Sequence, residues 1–140
     1  MKKNNDSSDS EKFEIMISQI TSLLVEGNAQ VTWDEKILDP DNPTQQRQID
    51  VLVNQNDLIT LIECRLHKKP QDVQWIEELI GRQASLRAHA IIAVSSSGFT
   101  KGAVAKAKRF GINLRETNEL TSDEIITWSR PIKDVFSVSH

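Results

Sequence analysis

The sequence predicts an α/β domain: a mixed β-sheet flanked by helices, with elements in the order α-β-β-β-α-β-α-β. Three observations carry this. Apolar residues recur at helical spacing near the start, two β-branched runs are joined by a short turn signal, and a continuous apolar run lies between two stretches with helix caps. A hairpin followed by alternating helices and strands gives a sheet with both antiparallel and parallel pairing.

Met1 to Ser10 has no apolar residue after Met1 and reads as a loose tail. From Glu11 to Glu26, Phe13, Met16, Ile17, Ile20, Leu23 and Leu24 mark an amphipathic helix, and Gly27 is its stop. Val31, Trp33 and Ile37 suggest a first strand, closed by the turn-rich Asp39-Pro40-Asp41-Asn42-Pro43. Gln48 to Val53 and Leu58 to Arg65 form a hairpin around Asn54-Gln55-Asn56-Asp57. After Pro70, Asp72 can cap a helix to about Arg87, with Val73, Ile76, Leu79, Ile80 and Leu86 inward. Ala90 to Val94 reads as a strand covered on both faces. Thr100 can cap an alanine-rich helix that stops at Gly111, and Ile112 to Leu114 is a last strand. Thr121-Ser122-Asp123-Glu124 has the form of a capping box opening a short helix through Trp128, before Pro131. The expected division is residues 1–10 as flexible tail, 11–116 as the main domain, and 117–140 as a C-terminal helix and tail packed on it.

Composition narrows the function classes. At 140 residues, 38% hydrophobic and 26% charged, the chain suits one domain with one core. No apolar run approaches the ~20 residues of a membrane span and the start is polar, so the expected location is the cytoplasm, with no membrane contact. A single cysteine, Cys64, and three scattered histidines give neither an internal disulfide nor a structural zinc site. The net charge of -3 argues against coating nucleic acid by bulk charge. Yet the stretch from Arg65 to Arg115 is basic, with Asp72, Glu77 and Glu78 its sole acids.

The chemistry gathers on the hairpin. Asp50 and Glu63 both follow apolar neighbours, and the expected pairing sets Asp50 opposite Leu61 and Ile62, with Glu63 a diagonal neighbour. Strand alternation points Glu63 and Arg65 to one face and Cys64 to the other. Two adjacent carboxylates repel unless a cation lies between them, and Mg²⁺ does this while keeping positions for water and a phosphate oxygen. Such an ion polarises a phosphodiester and activates water. Cys64 reads as a small core residue, and Trp33, Trp75 and Trp128 as packing residues.

Ile49-Asp50 followed by Glu63-Cys64-Arg65, with Glu14 on the preceding helix and Ser97-Gly98-Phe99-Thr100 beyond, resembles the PD-(D/E)xK nuclease superfamily, and within it the Mrr-like restriction endonucleases. The resemblance spans Phe13 to Arg115 and implies a restriction-endonuclease-like fold. It also implies that Asp50, Glu63 and the Cys64 carbonyl bind Mg²⁺ or Mn²⁺, that Glu14 supports the metal, and that Glu77 fills a polar position on the following helix. Arg65 stands where the family has its lysine, and Ile49 where it has proline. A guanidinium stays protonated and cannot act as a general base, so Lys68, three residues on, is the candidate substitute. Candidate DNA contacts are Arg47, Lys69, Arg82, Ser97, Thr100 and Lys101, with Lys106, Lys108 and Arg109 as further backbone contacts. The Ser95 to Gly98 loop could hold a phosphate at the N-terminus of the helix that Thr100 caps.

The function expected is metal-dependent hydrolysis of DNA phosphodiesters in restriction or anti-phage defence, by a homodimer or a subunit of a larger defence assembly. The alternatives are a junction resolvase or repair nuclease of the same fold, and an inactive nuclease-like module that binds nucleic acid or a partner protein.

Overall fold

The computed structural model describes residues 3–25 and 29–117. Its elements run α1 (Lys3–Leu24), β1 (Gln30–Asp39), β2 (Asn42–Gln55), β3 (Leu58–Arg65), α2 (Val73–Leu86), β4 (Ala90–Ser95), α3 (Lys101–Phe110) and β5 (Asn113–Glu116). This is the expected order, and the five strands make one sheet ordered β1-β2-β3-β4-β5. Pairs β1–β2 and β2–β3 are antiparallel, whereas β3–β4 and β4–β5 are parallel, as α2 and α3 require of the strands they connect.

Two boundaries depart from expectation. The stretch read as a loose tail is helical from Lys3 onward, so α1 begins eight residues before Glu11. β2 begins at Asn42, well before Gln48, because Asn42, Gln46 and Arg47 pair with β1 although Thr44 to Arg47 has no apolar face of its own. Gly27, the expected helix stop, and the expected C-terminal helix around Trp128 lie outside the described residues. No helix among the described residues is long and apolar enough to cross a membrane.

The sheet is covered on both faces, which explains the unbroken apolar runs in β3 and β4. Leu61, Ile91 and Ala93 pack against Trp75, Ile76 and Leu79 of α2 and Ala103 and Ala107 of α3. Their strand neighbours Ile62, Ile92 and Val94 face the other way, with Val51 and Val53, onto Phe13 and Ile17 of α1. α2 starts where Asp72 accepts the Gln74 N–H at 3.1 Å, the expected cap. Asp72→Ala is expected to cost about 0.5–2 kcal/mol of stability, measured by urea unfolding.

Candidate active site

The hairpin turn sets the register, and the register sets the site. Asn56 and Asp57 both take positive φ, 53° and 68°, as a two-residue I′-class turn requires. The expected turn was centred one residue earlier. With Val51 paired to Ile62, the next rung brings Asp50 directly opposite Glu63, not diagonally. The β2–β3 ladder ends at Val51–Ile62, and side chains take over from it. The Cys64 N–H donates to Asp50 Oδ2 at 2.9 Å, and the Asp50 N–H donates to Glu63 Oε2 at 3.3 Å. Each carboxylate thus caps the backbone of the opposite strand.

Asp50 also lies at a break in the strand's alternation. Ile49 packs on the α2 side and Val51, two residues on, packs on the α1 side. A regular strand would put both on one face. Asp50 therefore stands between the layers, within electrostatic reach of Glu14 on α1 and Glu63 on β3.

Glu63 is 6% exposed. Burial first, then the charge of Asp50, pushes its carboxyl up to about 8, against the opposing pull of Arg82. Arg82 Nη1 lies 3.0 Å from Glu63 Oε1, but the same nitrogen donates to the Gln48 carbonyl at 2.7 Å. Glu63 Oε1 itself is buried with no hydrogen-bond partner, so the ion pair supplies charge without a directed bond. Glu14 is raised to about 7, mainly by burial and next by Asp50, while the Trp33 indole N–H donates to it at 3.1 Å. The Cys64 thiol is pushed up by burial and then by Asp50, Glu63 and Glu14, and it packs toward α1. That agrees with a core role and opposes a nucleophilic one.

These shifts fix a sign. Glu63 and Glu14 keep protons in the folded state that the unfolded chain releases, so metal-free stability falls as pH rises from about 4.5 toward 8 for Glu63, and toward 7 for Glu14. Glu63→Gln removes the larger part of that loss. Thermal unfolding in chelator should show wild type losing ground to Glu63→Gln between about pH 5 and about pH 8, and parallel curves would contradict it.

Arg65 lines the same 640 Å³ cleft as Asp50, Glu63 and Arg82. Its guanidinium lies 5.0 Å over the Trp75 ring and 3.8 Å from Glu78, and the cation beside Glu63 is Arg82 on α2. Arg82 was expected as a DNA contact only. Its signal was present in helix spacing, since Trp75, Glu78, Leu79 and Arg82 share one face of α2.

The remaining candidates scatter. Lys68 is exposed in the loop after β3 and does not line the cleft. Glu77 pairs with Lys106 at 3.5 Å, toward α3 and away from the acids. Arg47 lines the cleft but is bound to Asp39 at 3.0 Å. Lys69 lines a second cavity of 330 Å³, which shares Arg65, Trp75 and Glu78 with the cleft. The Ser97 hydroxyl donates to the Lys69 carbonyl at 2.6 Å, and Thr100 accepts the Ala103 N–H at 3.2 Å, so both hydroxyls serve loop and helix-cap bonds. Lys101 is exposed at the start of α3. Among the described residues no three His, Cys, Asp or Glu side chains converge as a ready metal-ligand group, and Glu14 stays on Trp33.

The donor set nevertheless suits a divalent cation. It offers hard carboxylate oxygens, mutual repulsion between two acids, and one buried oxygen with an unfilled bonding direction.

The sequence model of the restriction endonuclease family Mrr_cat matches residues 38–122, which include both acids, Arg65 and Arg82. The chain belongs to this Mrr restriction endonuclease family. No curated protein matches its sequence. Among solved structures, this Mrr-family domain is similar to protein VC1899 from Vibrio cholerae, with a TM-score of 0.70 and 16% identity over 89% of this chain and 34% of that one. It is also similar to AF1548, a protein of unknown function, with a TM-score of 0.68 and 13% identity over 86% of this chain and 66% of that one. The DNA modification-dependent restriction endonuclease AspBHI matches with a TM-score of 0.49 and 14% identity over 88% of this chain and 35% of that one. The likeness to VC1899 and AF1548 shows the fold, and the Mrr-family domain spans less than two thirds of either chain.

Proposed function

We propose that this domain hydrolyses DNA phosphodiesters with Mg²⁺ or Mn²⁺ held by Asp50 and Glu63, in restriction of foreign DNA. The observation that supports this most is the opposed Asp50–Glu63 pair. Its acids are bound reciprocally across the end of the ladder at one wall of an open cleft, with Glu63 Oε1 lacking a hydrogen bond. When bound, the metal would polarise the phosphoryl group and activate water. The chain's own groups orient the rest. The Cys64 N–H and the Asp50 N–H keep the two carboxylates at fixed positions, while Arg82 and Arg65 bring positive charge into the cleft to receive the backbone. Duplex DNA incubated with the purified protein and Mg²⁺ or Mn²⁺, against a chelator control, tests the reading; intact DNA under all conditions would overturn it.

Arg65→Lys is expected to alter cleavage modestly. It keeps a cation in the cleft and gives up the flat guanidinium over Trp75, a contact of ~0.5–1 kcal/mol that orders the side chain without entering the chemical step. A comparison of initial rates checks this. One active centre cuts one strand, so a homodimer, or a place in a larger defence assembly, goes with the proposal. Light scattering that finds a monomer alone, with and without DNA, removes the homodimer. A second reading, an inactive module that binds DNA or a partner protein, is favoured by the engagement of Arg65 on Trp75 and Glu78 instead of Glu63. DNA binding without cleavage, unchanged in Asp50→Ala, would select it.

A further inference from the structure

Arg82 divides one nitrogen between two partners of different kinds. Nη1 makes a directed hydrogen bond to the Gln48 carbonyl at 2.7 Å and a charge contact with Glu63 Oε1 at 3.0 Å. Glu63 Oε1 remains buried without a hydrogen bond. The oxygen thus faces a cation without receiving a hydrogen bond.

A guanidinium offsets one negative charge and cannot coordinate, whereas a divalent cation offsets both Asp50 and Glu63 and accepts their lone pairs. Two positive groups against one carboxylate oxygen repel each other, so both cannot keep the Oε1 contact at full strength. Arg82 has somewhere to go. Its side chain is 27% exposed and lines the open cleft, on the α2 face that also carries Arg65. Arg65, by contrast, is seated over Trp75 and beside Glu78.

We propose that Arg82 is an exchangeable counterion: in the metal-free site it balances the negative charge that the Asp50–Glu63 pair shares, it yields Glu63 to a divalent cation, and it turns its freed guanidinium to a phosphodiester in the cleft. This rests on the nuclease reading above and adds a regulation of that site. A metal and a DNA backbone each favour the released Arg82, so each tightens binding of the other, by reciprocal linkage. Arg82 is a positioning residue toward the metal and a contact residue toward the phosphodiester.

Calorimetry with Ca²⁺ alone, and with Ca²⁺ in the presence of a short DNA duplex, tests this without measuring turnover. Wild type is expected to bind Ca²⁺ about tenfold more tightly with the duplex than without it. Arg82→Gln is expected to bind Ca²⁺ alone about tenfold more tightly than wild type, with the duplex adding little further. An affinity of Arg82→Gln equal to or weaker than wild type overturns the proposal. So does an Arg82 guanidinium NMR signal in wild type that stays unmoved at saturating Ca²⁺, a measurement that needs no variant to fold. Asp50→Ala separates the two levels. If it binds Ca²⁺ as wild type does, the metal reading of the acids fails and the Arg82 exchange falls with it. If it loses Ca²⁺ while Arg82→Gln gains nothing, the exchange alone fails.

Discussion

Asp50→Ala is expected to reduce metal-dependent DNA cleavage by about three orders of magnitude, since a bound ion supplies several kcal/mol of transition-state charge stabilisation. The same substitution removes the acceptor of the Cys64 N–H at 2.9 Å, so the end of β3 loses a bond where the ladder has already stopped. Asp50→Asn controls for that. It keeps an acceptor oxygen for Cys64 and removes the charge, so it should fold like wild type and cleave as poorly as alanine. Initial rates on a plasmid substrate, beside unfolding midpoints for both variants, check the pair. An active Asp50→Asn would move the chemistry elsewhere in the cleft. Glu63→Ala should match the loss of activity and, in addition, leave Arg82 without its carboxylate partner.

Ile62→Ala is expected to cost about 2–5 kcal/mol of stability, the usual range for truncating a fully buried aliphatic side chain. Ile62 has no exposed surface and lies in the layer between the sheet and Phe13 and Ile17 of α1. It is also the β3 partner of Val51, and the two adjoin Glu63 and Asp50 respectively. The loss should therefore appear first as unfolding at lower urea concentration. A change below about 1 kcal/mol would mean that α1 closes over the space, and would question the packing of that layer.

The two residues differ in how legible they were. Ile62 belongs to an apolar run whose burial follows from composition, and a strand with β-branched residues on both faces has to be covered twice. Asp50 and Glu63 were legible for the complementary reason, since a charge inside such a run costs too much to be decoration. Their exact opposition was not legible. It depends on whether Gln55-Asn56 or Asn56-Asp57 forms the turn, and both are turn-compatible dipeptides; the positive φ of Asn56 and Asp57 decided it.

Arg65 was legible in part. Alternation along a strand correctly places it in the cleft with Glu63, but cannot say what else the cleft wall offers a guanidinium. Trp75 and Glu78 come from α2, across a connection of several residues, and they engage the Arg65 guanidinium. Arg82 comes from the same helix, 19 positions beyond Glu63 in the sequence, and reaches the carboxylate that Arg65 does not. Glu77 illustrates the converse, since a polar residue one step around the helix from the cleft face pairs with Lys106 of α3.

The amino-acid sequence by itself determined the element order, the two-sided core and the acidic pair, because periodicity, turn chemistry and the cost of burying charge are local or nearly local properties. Only the tertiary structure decided which cation meets Glu63. That choice depends on how far α2 is rotated against the sheet, and the rotation is set by the packing of Trp75, Ile76 and Leu79 on Leu61, Ile91 and Ala93, contacts between segments distant in the chain.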